Sequence, residues 1–223
     1  CKSISGREST MMQIDLDLKK QRYTQAVDEA GDLLKQGKAV IIPTETAYGL
    51  AVDAVNQEAV KRLFEIKQRP EDKPVSVFVR SVAELEKHAV INSDSVKKAI
   101  ARLWPGPVTF VLKAKANSWP GIISEDGKIA FRCSNHDFIN RLIHTYKNPL
   151  TATSANLSGE QAFSLEQIKQ SFSDSVELFI VDPLLKFGNL PSTVVDLADG
   201  SPKIKREGMT AKSAIMEIFE DES

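Results

Sequence analysis

The segment that decides the fold is residues 38–50, which read KAVIIPTETAYGL. Residues 39–42, which follow the lysine, are apolar and largely β-branched, so 38–42 is predicted to be a buried strand. Pro43 cannot donate a ladder hydrogen bond and should end that strand. Two hydroxyls, a carboxylate and a phenol follow at once, on Thr44, Glu45, Thr46 and Tyr48. Ligands of α/β sheets bind on loops beyond strand ends, so this loop is either a candidate site or a polar turn with locally satisfied hydroxyls.

The same alternation of strand and helix patterns continues along the chain. Helical spacing of apolar residues occurs in six segments: 23–34, 59–64, 96–103, 138–146, 165–172 and 211–218. Strand patterns occur in eight: 38–42, 75–79, 108–112, 129–132, 149–153, 178–181, 193–197 and 203–206. Gly37 should end the first helix, and Ser164 with Gln167 forms a capping box. In the last helix Ala211, Ala214, Ile215 and Ile218 are expected to face inward. Because strands and helices do not alternate evenly, we expect an α/β domain around a mixed sheet.

Composition excludes several classes of protein. The chain has 223 residues, 42% hydrophobic and 26% charged, with a net charge of −1. This balance excludes a strongly basic nucleic-acid wrapper and an acidic disordered tail. No apolar run reaches the roughly 18–20 residues that cross a bilayer. Two cysteines, Cys1 and Cys133, cannot build a disulfide framework, so a reducing, cytoplasmic location is expected.

The N-terminal ten residues differ from the rest of the chain. Residues 1–10 show no apolar periodicity and begin with cysteine in place of methionine. We interpret them as a leader or a non-native remnant, with a processed N-terminus as the alternative. No linker rich in glycine, serine or proline divides residues 11–223, which are predicted to form a single domain.

A charged segment, KQRPEDKP at 67–74, follows the second predicted helix. Pro70 disfavours helical backbone at Arg69, so the helix should end one or two residues earlier. If the backbone is extended there, Lys67 and Arg69 project to the same side. An arginine fork with a lysine charge suits phosphate oxygens, and Lys73 lies nearby. A solvated, charged helix end is the alternative.

Four further loops carry polar side chains beside predicted strands. They are WPGPVT at 104–109, PLTATSANLSG at 149–159, PSTVVD at 191–196 and KIKREG at 203–208. The small side chains of 149–159 let backbone amides approach a ligand closely, although a polar turn is the alternative. Arg132 lies in an otherwise apolar strand and therefore needs an acidic partner or an anion.

Several common motifs are absent from the sequence. It contains no P-loop, no GxGxxG after a strand and no GxSxG elbow. The three histidines have no metal-ligand spacing with one another or with Cys133, so a zinc site is not expected. A nucleotide would therefore be bound without the common phosphate cradles. A nucleophilic Cys133 paired with a histidine is left open.

Six segments together form a recognisable pattern. In chain order they are PTETAYGL at 43–50, KxRP at 67–70, WPGPxT at 104–109, SANLSG at 154–159, PSTVVD at 191–196 and REG at 206–208. This set resembles the YrdC/TsaC family of L-threonylcarbamoyladenylate synthases, in its single-domain form, from about residue 23 to residue 208. The resemblance implies that residues 11–223 form one YrdC-like catalytic domain, a twisted mixed β-sheet flanked by helices with a concave basic face.

The resemblance also implies an activity and partners. The enzyme would be a nucleotidyltransferase that makes threonylcarbamoyl-AMP and pyrophosphate from L-threonine, bicarbonate and ATP. Mg²⁺ would bind through the ATP phosphates, with no protein metal site. The product would serve the threonylcarbamoyladenosine modification of tRNA beside the anticodon, through a threonylcarbamoyl-transferase complex; direct contact with tRNA is left open. The alternatives are an RNA-binding or ribosome-maturation module and a catalytically divergent paralogue of the same fold.

The family motifs carry over residue by residue. Lys67 and Arg69 would be catalytic, stabilising the leaving pyrophosphate. The implied ATP contacts are Arg69, Lys73, Thr109, Arg132, Ser154, Asn156 and Arg206. The implied L-threonine contacts are Thr46, Ala152 and Ser192. The chain departs from the pattern at Lys73, where some members have Asn, and at Phe78, where some archaeal-type members have His.

Overall fold

The computed structural model describes residues 11–17, 21–70, 75–157, 164–186 and 190–220. Its α-helices are α1 (Tyr23–Lys35), α2 (Gln57–Ile66), α3 (Val82–His88), α4 (Asp94–Leu103), α5 (Asp137–Tyr146), α6 (Leu165–Phe172) and α7 (Lys212–Glu220). Its strands are β1 (Met12–Asp15), β2 (Val40–Pro43), β3 (Tyr48–Ala51), β4 (Ser76–Phe78), β5 (Val108–Lys113), β6 (Lys128–Arg132), β7 (Leu150–Ser154), β8 (Leu178–Val181), β9 (Thr193–Asp196) and β10 (Lys203–Arg206). No helix in these ranges is long and apolar enough to cross a membrane.

The strands form a mixed sheet, as the uneven alternation predicted. Their order is β1-β8-β2-β3-β7-β4-β6-β5-β9-β10. The pairs β1/β8, β2/β8, β4/β6 and β5/β9 are parallel, and the remaining neighbours are antiparallel. Strands that are remote in sequence therefore lie side by side at the centre of the sheet.

Two apolar cores cover opposite faces of the sheet. In β2, Val40 and Ile42 pack in one core with residues of α1 and α5, whereas Ile41 belongs to the core that contains α2, α4, α6 and α7. Successive side chains of a strand point to opposite faces, so a strand buried at every position joins both cores. Each fully buried side chain of this size contributes roughly 1.5–3 kcal/mol. The apolar runs of the sequence thus become central strands with helices on both faces.

The loop after β2 is the tight turn of a β-hairpin. β2 and β3 are antiparallel, with Pro43 opposite Tyr48. Thr44 closes the turn, because its Oγ1 accepts hydrogen bonds from the backbone N of Thr46 (3.2 Å) and of Ala47 (3.1 Å). The interpretation of 43–50 as one continuous loop was therefore wrong for its second half. Polar side chains at the turn conceal the short strand that follows.

The helix ends at Ile66 with Lys67 as its cap, close to the predicted end, but the condition of an extended backbone at residues 67–69 is not met. Lys67 is helical (φ −78°, ψ −9°) and Gln68 has a φ of +49°. The backbone N of Gln68 donates to Glu65 O, and that of Arg69 donates to Phe64 O (both 3.0 Å). This pair of bonds is the Schellman motif of a helix C-terminus. The left-handed residue turns the chain, so Lys67 and Arg69 diverge.

Smaller differences concern α7, β1 and α3. Ile215 and Ile218 are buried as expected, but Ala211 and Ala214 are exposed, so the inward face of α7 is narrower than predicted. β1 and α3 were not predicted, since each is short and has few buried apolar residues.

Candidate active site

Seven strands contribute side chains to one cavity of about 250 Å³. The volume is slightly below the range of roughly 300–1,000 Å³ that is typical of small-molecule sites. Seven of the predicted site residues line it: Thr46, Arg69, Thr109, Arg132, Ser154, Ser192 and Arg206. They are remote in sequence, and the strand order β7-β4-β6-β5-β9 brings them together.

Other predicted residues lie elsewhere. Lys67 and Asn156 are not among the cavity-lining residues. Ala152 belongs to β7 and pairs with Ser76, which does line the cavity. Lys73, Ser158, Gly159 and residues 1–10 lie outside the described residues.

The sequence reasoning missed several strand residues that line the cavity. Ser76, Ala130 and Val194 are lining residues of β4, β6 and β9. Ala130 could have been found, because it lies two residues before Arg132 and strand alternation places both on one face. Ser76 and Val194 carried no comparable signal, since their contribution depends on strand order.

Arg132 is held inside the cavity wall by a chain of polar contacts. Its side chain is only 8% exposed, and its Nη2 donates to Thr46 Oγ1 (2.8 Å). Glu45 Oε1 lies 3.0 Å from the same Nη2, an ion pair without the alignment of a hydrogen bond. The other carboxylate oxygen of Glu45 accepts a hydrogen bond from Ser134 Oγ. The guanidinium also lies over the ring of Phe78, 5.8 Å from its centroid.

Arg132 fits both roles expected of a buried arginine in a strand, that of a partner in an ion pair and that of an anion-binding group. Glu45 compensates its charge, as an ion pair would. Its Nε is buried and has no hydrogen-bond partner within the ranges that the structure describes. A buried donor without a partner is costly, so this group favours an acceptor on a bound molecule.

Arg206 enters the cavity from the edge strand β10. Its Nη2 donates to Ser192 O (2.9 Å), as does its Nε (3.2 Å). Ser192 Oγ in turn lies 2.9 Å from Thr109 Oγ1. The next glycine, Gly208, is required for this arrangement, because a Cβ there would lie 2.1 Å from Pro191 O. The REG sequence thus packs its backbone against residues 191–192.

Three guanidinium groups share the cavity. Burial lowers the pKa of Arg206, and repulsion from Arg132 and then from Arg69 lowers it further. Arginine nevertheless stays charged in proteins. Positive groups that are close enough to repel each other create a site for a multiply charged anion. Hydroxyl groups of the lining add neutral donors, among them those of four predicted residues: Thr46, Thr109, Ser154 and Ser192.

Lys67 is buried beside the cavity, with 1% of its surface exposed. Its Nζ donates to Ser154 O and to Asn156 O, the backbone of the segment that follows β7. Burial, with a smaller contribution from Arg69, lowers the pKa of Lys67 to about 7.

A thiol nucleophile does not fit the geometry. Burial raises the pKa of Cys133 to about 11, so the thiol is protonated near neutral pH. Both ring nitrogens of His136 are already engaged: Nε2 lies 3.0 Å from Asp182 Oδ2, and Nδ1 accepts from the backbone N of Phe138. The described parts of the chain also contain no group of three or more acidic, histidine or cysteine side chains that could hold a metal ion.

Comparison with known proteins shows which family this chain resembles. The Sua5/YciO/YrdC family model, described as telomere recombination, matches residues 32–208. The chain is 35% identical to the threonylcarbamoyl-AMP synthase of Pyrococcus abyssi, over 80% of this chain and 53% of that protein. It is 36% identical to the threonylcarbamoyl-AMP synthase of Pseudoalteromonas translucida, over 75% of this chain and 90% of that protein. The chain thus spans about half the length of the first relative.

Solved structures share the fold. The crystal structure of P. abyssi Sua5 complexed with L-threonine superposes with a TM-score of 0.84 at 29% identity, covering 93% of this chain and 61% of that one. Escherichia coli YciO superposes with a TM-score of 0.81, covering 92% of this chain and 98% of that one, and at 24% identity it shows the fold alone. Because the family model matches most of the chain and relatives above 30% identity cover most of it, this chain belongs to the Sua5/YciO/YrdC family.

Proposed function

We propose that this chain is an L-threonylcarbamoyladenylate synthase, a nucleotidyltransferase that forms threonylcarbamoyl-AMP and pyrophosphate from L-threonine, bicarbonate and ATP. The observation that carries the proposal is the joint presence of Arg69, Arg132 and Arg206 in one cavity. Two relatives that carry the name threonylcarbamoyl-AMP synthase, and a fold neighbour bound to L-threonine, support it.

The chemistry requires positioning and charge neutralisation. The amine of threonine attacks the carbon of bicarbonate, a C–N bond forms, and water leaves to give a carbamate. A carbamate oxygen then attacks the α-phosphorus of ATP, the bond to the β-phosphate oxygen breaks, and pyrophosphate leaves. Phosphoryl transfer of this kind depends on alignment and on stabilising charge, so it needs no protein nucleophile.

The cavity residues suit these two tasks. Arg69 and Arg206 would neutralise the triphosphate, and Thr109, Ser154 and Asn156 would contact the nucleotide. Thr46, Ala152 and Ser192 are proposed to hold L-threonine. Arg132, which Glu45 already compensates, would direct its unpaired Nε to the nucleotide or the carbamate.

Two lysines, Lys73 and Lys67, were also predicted to lie near the phosphates. The phosphate contact of Lys73 stays a prediction, because that residue lies outside the described residues. Lys67 is not among the cavity-lining residues, so a phosphate contact is not proposed for it. MgATP is the proposed form of the nucleotide substrate, because Mg²⁺ commonly binds through phosphates and water and none of the described residues that line the cavity carries a carboxylate.

The proposed product also sets the partners. The adenylate is a mixed anhydride, so it would be passed to a threonylcarbamoyl-transferase complex that modifies tRNA. A cytoplasmic location follows from ATP and tRNA as reaction partners. Direct contact of this chain with tRNA stays a prediction.

The test is an incubation with MgATP, L-threonine and labelled bicarbonate. The proposal predicts a labelled adenylate that appears only when all three substrates are present. A folded protein that binds ATP but forms no labelled product would instead support a divergent paralogue. RNA binding that falls steeply with salt and needs no threonine would support an RNA-binding module.

A further inference from the structure

Lys67 contacts the protein backbone and does not reach the cavity. It follows the last residue of α2, where the Schellman motif turns the chain. Its ammonium group donates to Ser154 O and Asn156 O, whereas Arg69, two residues later, lines the cavity. The two cations of the KxR motif therefore have different contacts: Lys67 binds the protein backbone, and Arg69 lines the cavity.

The segment that Lys67 contacts is short and is part of the proposed site. Ser154 ends β7 and lines the cavity. Ala155 N donates to Tyr48 O (2.8 Å), and Asn156 N donates to Ser154 O (3.0 Å). Lys67, at the C-terminal end of α2, donates two further hydrogen bonds to the backbone of this segment. It thereby fixes the carbonyl groups of the two residues whose side chains are proposed to contact ATP.

Two of the three N–H groups of the ammonium donate to these oxygens, and Lys67 does not line the cavity, so a phosphate contact would require the side chain to move. That movement would take the ammonium of a residue that is only 1% exposed away from Ser154 O and Asn156 O. Losing hydrogen bonds from a charged donor is costly, so the contact with the backbone is favoured over a new one in the cavity. The contact also survives loss of a proton, because a neutral amine still has two N–H donors for two carbonyls.

We propose that Lys67 is a positioning residue that holds the backbone of residues 154–157 and thereby places Ser154 and Asn156 against the nucleotide, without touching the ATP phosphates. The proposal rests on the proposed function for the identity of the nucleotide. It replaces the expectation that Lys67 stabilises the leaving pyrophosphate.

The experiment compares Lys67→Met with two matched variants. Lys61→Met makes the same chemical change at an exposed position of the same helix. Arg69→Met removes a cation that does line the cavity. For each variant, amide hydrogen exchange of residues 155–157 is measured in the ligand-free protein, and affinities for AMP and ATP are measured by calorimetry.

The expected results separate positioning from direct contact. In Lys67→Met, exchange at residues 155–157 rises by about tenfold or more, the factor expected for losing a hydrogen bond from a charged donor. Affinities for AMP and ATP fall by the same factor. Arg69→Met lowers affinity for ATP more than for AMP and leaves the exchange unchanged, and Lys61→Met changes neither.

The opposite pattern overturns the proposal. Unchanged exchange in Lys67→Met, with a loss of affinity for ATP much larger than for AMP, would show a direct phosphate contact. If Lys67→Met does not fold, Lys67→Gln is judged by the same two criteria, because its amide can still donate to one carbonyl and a smaller increase in exchange is expected. The exchange measurement needs no nucleotide, so wild type that fails to bind ATP would refute the proposed function while the role of Lys67 on the backbone is still decided.

Discussion

Arg132 Nη2 lies 3.0 Å from Glu45 Oε1, and both side chains are largely buried. Glu45 comes from the hairpin turn and Arg132 from the end of β6, so this pair connects the turn to the centre of the sheet. Glu45 compensates the charge of the arginine, and the buried Nε of Arg132 has no hydrogen-bond partner among the described residues. The pair therefore explains how a buried arginine can belong both to the fold and to the proposed site.

This relationship predicts a strong energetic coupling. Glu45→Ala should lower the free energy of unfolding by about 3 kcal/mol, because it leaves a buried charge without its partner. The double variant with Arg132→Ala should lose clearly less than the sum of the single losses. Urea unfolding of the full double-mutant cycle measures this coupling. The exposed pair Asp32 and Lys35 is the control and should couple by less than about 1 kcal/mol. Additive losses for Glu45 and Arg132 would contradict the account.

Gly208 should be essential for the position of residues 191–192. Gly208→Ala places a Cβ 2.1 Å from Pro191 O, so the backbone of the neighbouring loop must move. Ser192 lines the cavity on that loop, and a displacement of about 1 Å can cost about 100-fold in rate. The measurement is kcat/KM for pyrophosphate release. Gly31→Ala is the control, because its Cβ would meet only an ordinary contact at 3.9 Å. Equal activity of both variants would contradict the assignment of this loop to the site.

Replacing Arg69 should lower catalytic activity more than it lowers the stability of the fold. Arg69→Ala is expected to lower kcat/KM for ATP by roughly 100- to 1,000-fold, since it removes a charged donor from the triphosphate. Arg69→Lys should recover part of this loss, because a lysine keeps the charge but not the fork. Initial rates of pyrophosphate release measure both variants, and Arg102→Ala, an exposed position on α4, is the control. A wild-type rate for Arg69→Ala would remove this residue from the phosphate site.

The lowered pKa of Lys67 predicts that the free energy of unfolding depends on pH. Its pKa is lowered from its ordinary value of 10.5 to about 7, chiefly by burial. Between these values the unfolded chain binds a proton that the folded chain has released. The free energy of unfolding should therefore rise with pH above about 7, by at most about 1.4 kcal/mol per pH unit.

The measurable window for this effect ends near pH 9. The folded-state pKa of Cys133 is raised from 9.0 to about 11, so between these values the thiol contributes a slope of opposite sign that offsets the rise from Lys67. Urea unfolding of wild type should show the rise between about pH 7 and about pH 9, and Lys67→Met should abolish it. Lys61→Met should retain it. A flat profile for wild type would show that Lys67 is charged throughout this range.

The fold was largely predictable, and the failures have local physical causes. Continuous apolar runs such as 178–181 identified interior strands of the sheet because both of their faces are buried. The strand Tyr48–Ala51 was missed because the turn before it is polar, and polar turn residues mark a loop without marking its length. The end of the helix near Lys67 was predicted, but the turn after it was not, because Gln68 adopts a left-handed conformation that a residue other than glycine rarely takes.

The cavity was predictable residue by residue where side-chain chemistry was unusual. An arginine in an apolar strand and hydroxyls beside strand ends identified Arg132, Thr109 and Ser192, which line one cavity. Ser76 and Val194 carry no comparable signal, because their role depends on the order of strands. Strand alternation alone places Ala130 on the same face as Arg132. The direction of Lys67 was not predictable, since it depends on how the helix ends.

The most direct test of the central claim is phosphorus NMR of ATP turnover with L-threonine and bicarbonate. Attack on the α-phosphorus predicts one pyrophosphate for each ATP consumed, together with a new adenylate signal, and no ATP loss when either threonine or bicarbonate is omitted. Formation of ADP and orthophosphate, or ATP consumption that does not require threonine, would contradict the assignment of this cavity to threonylcarbamoyl-AMP synthesis.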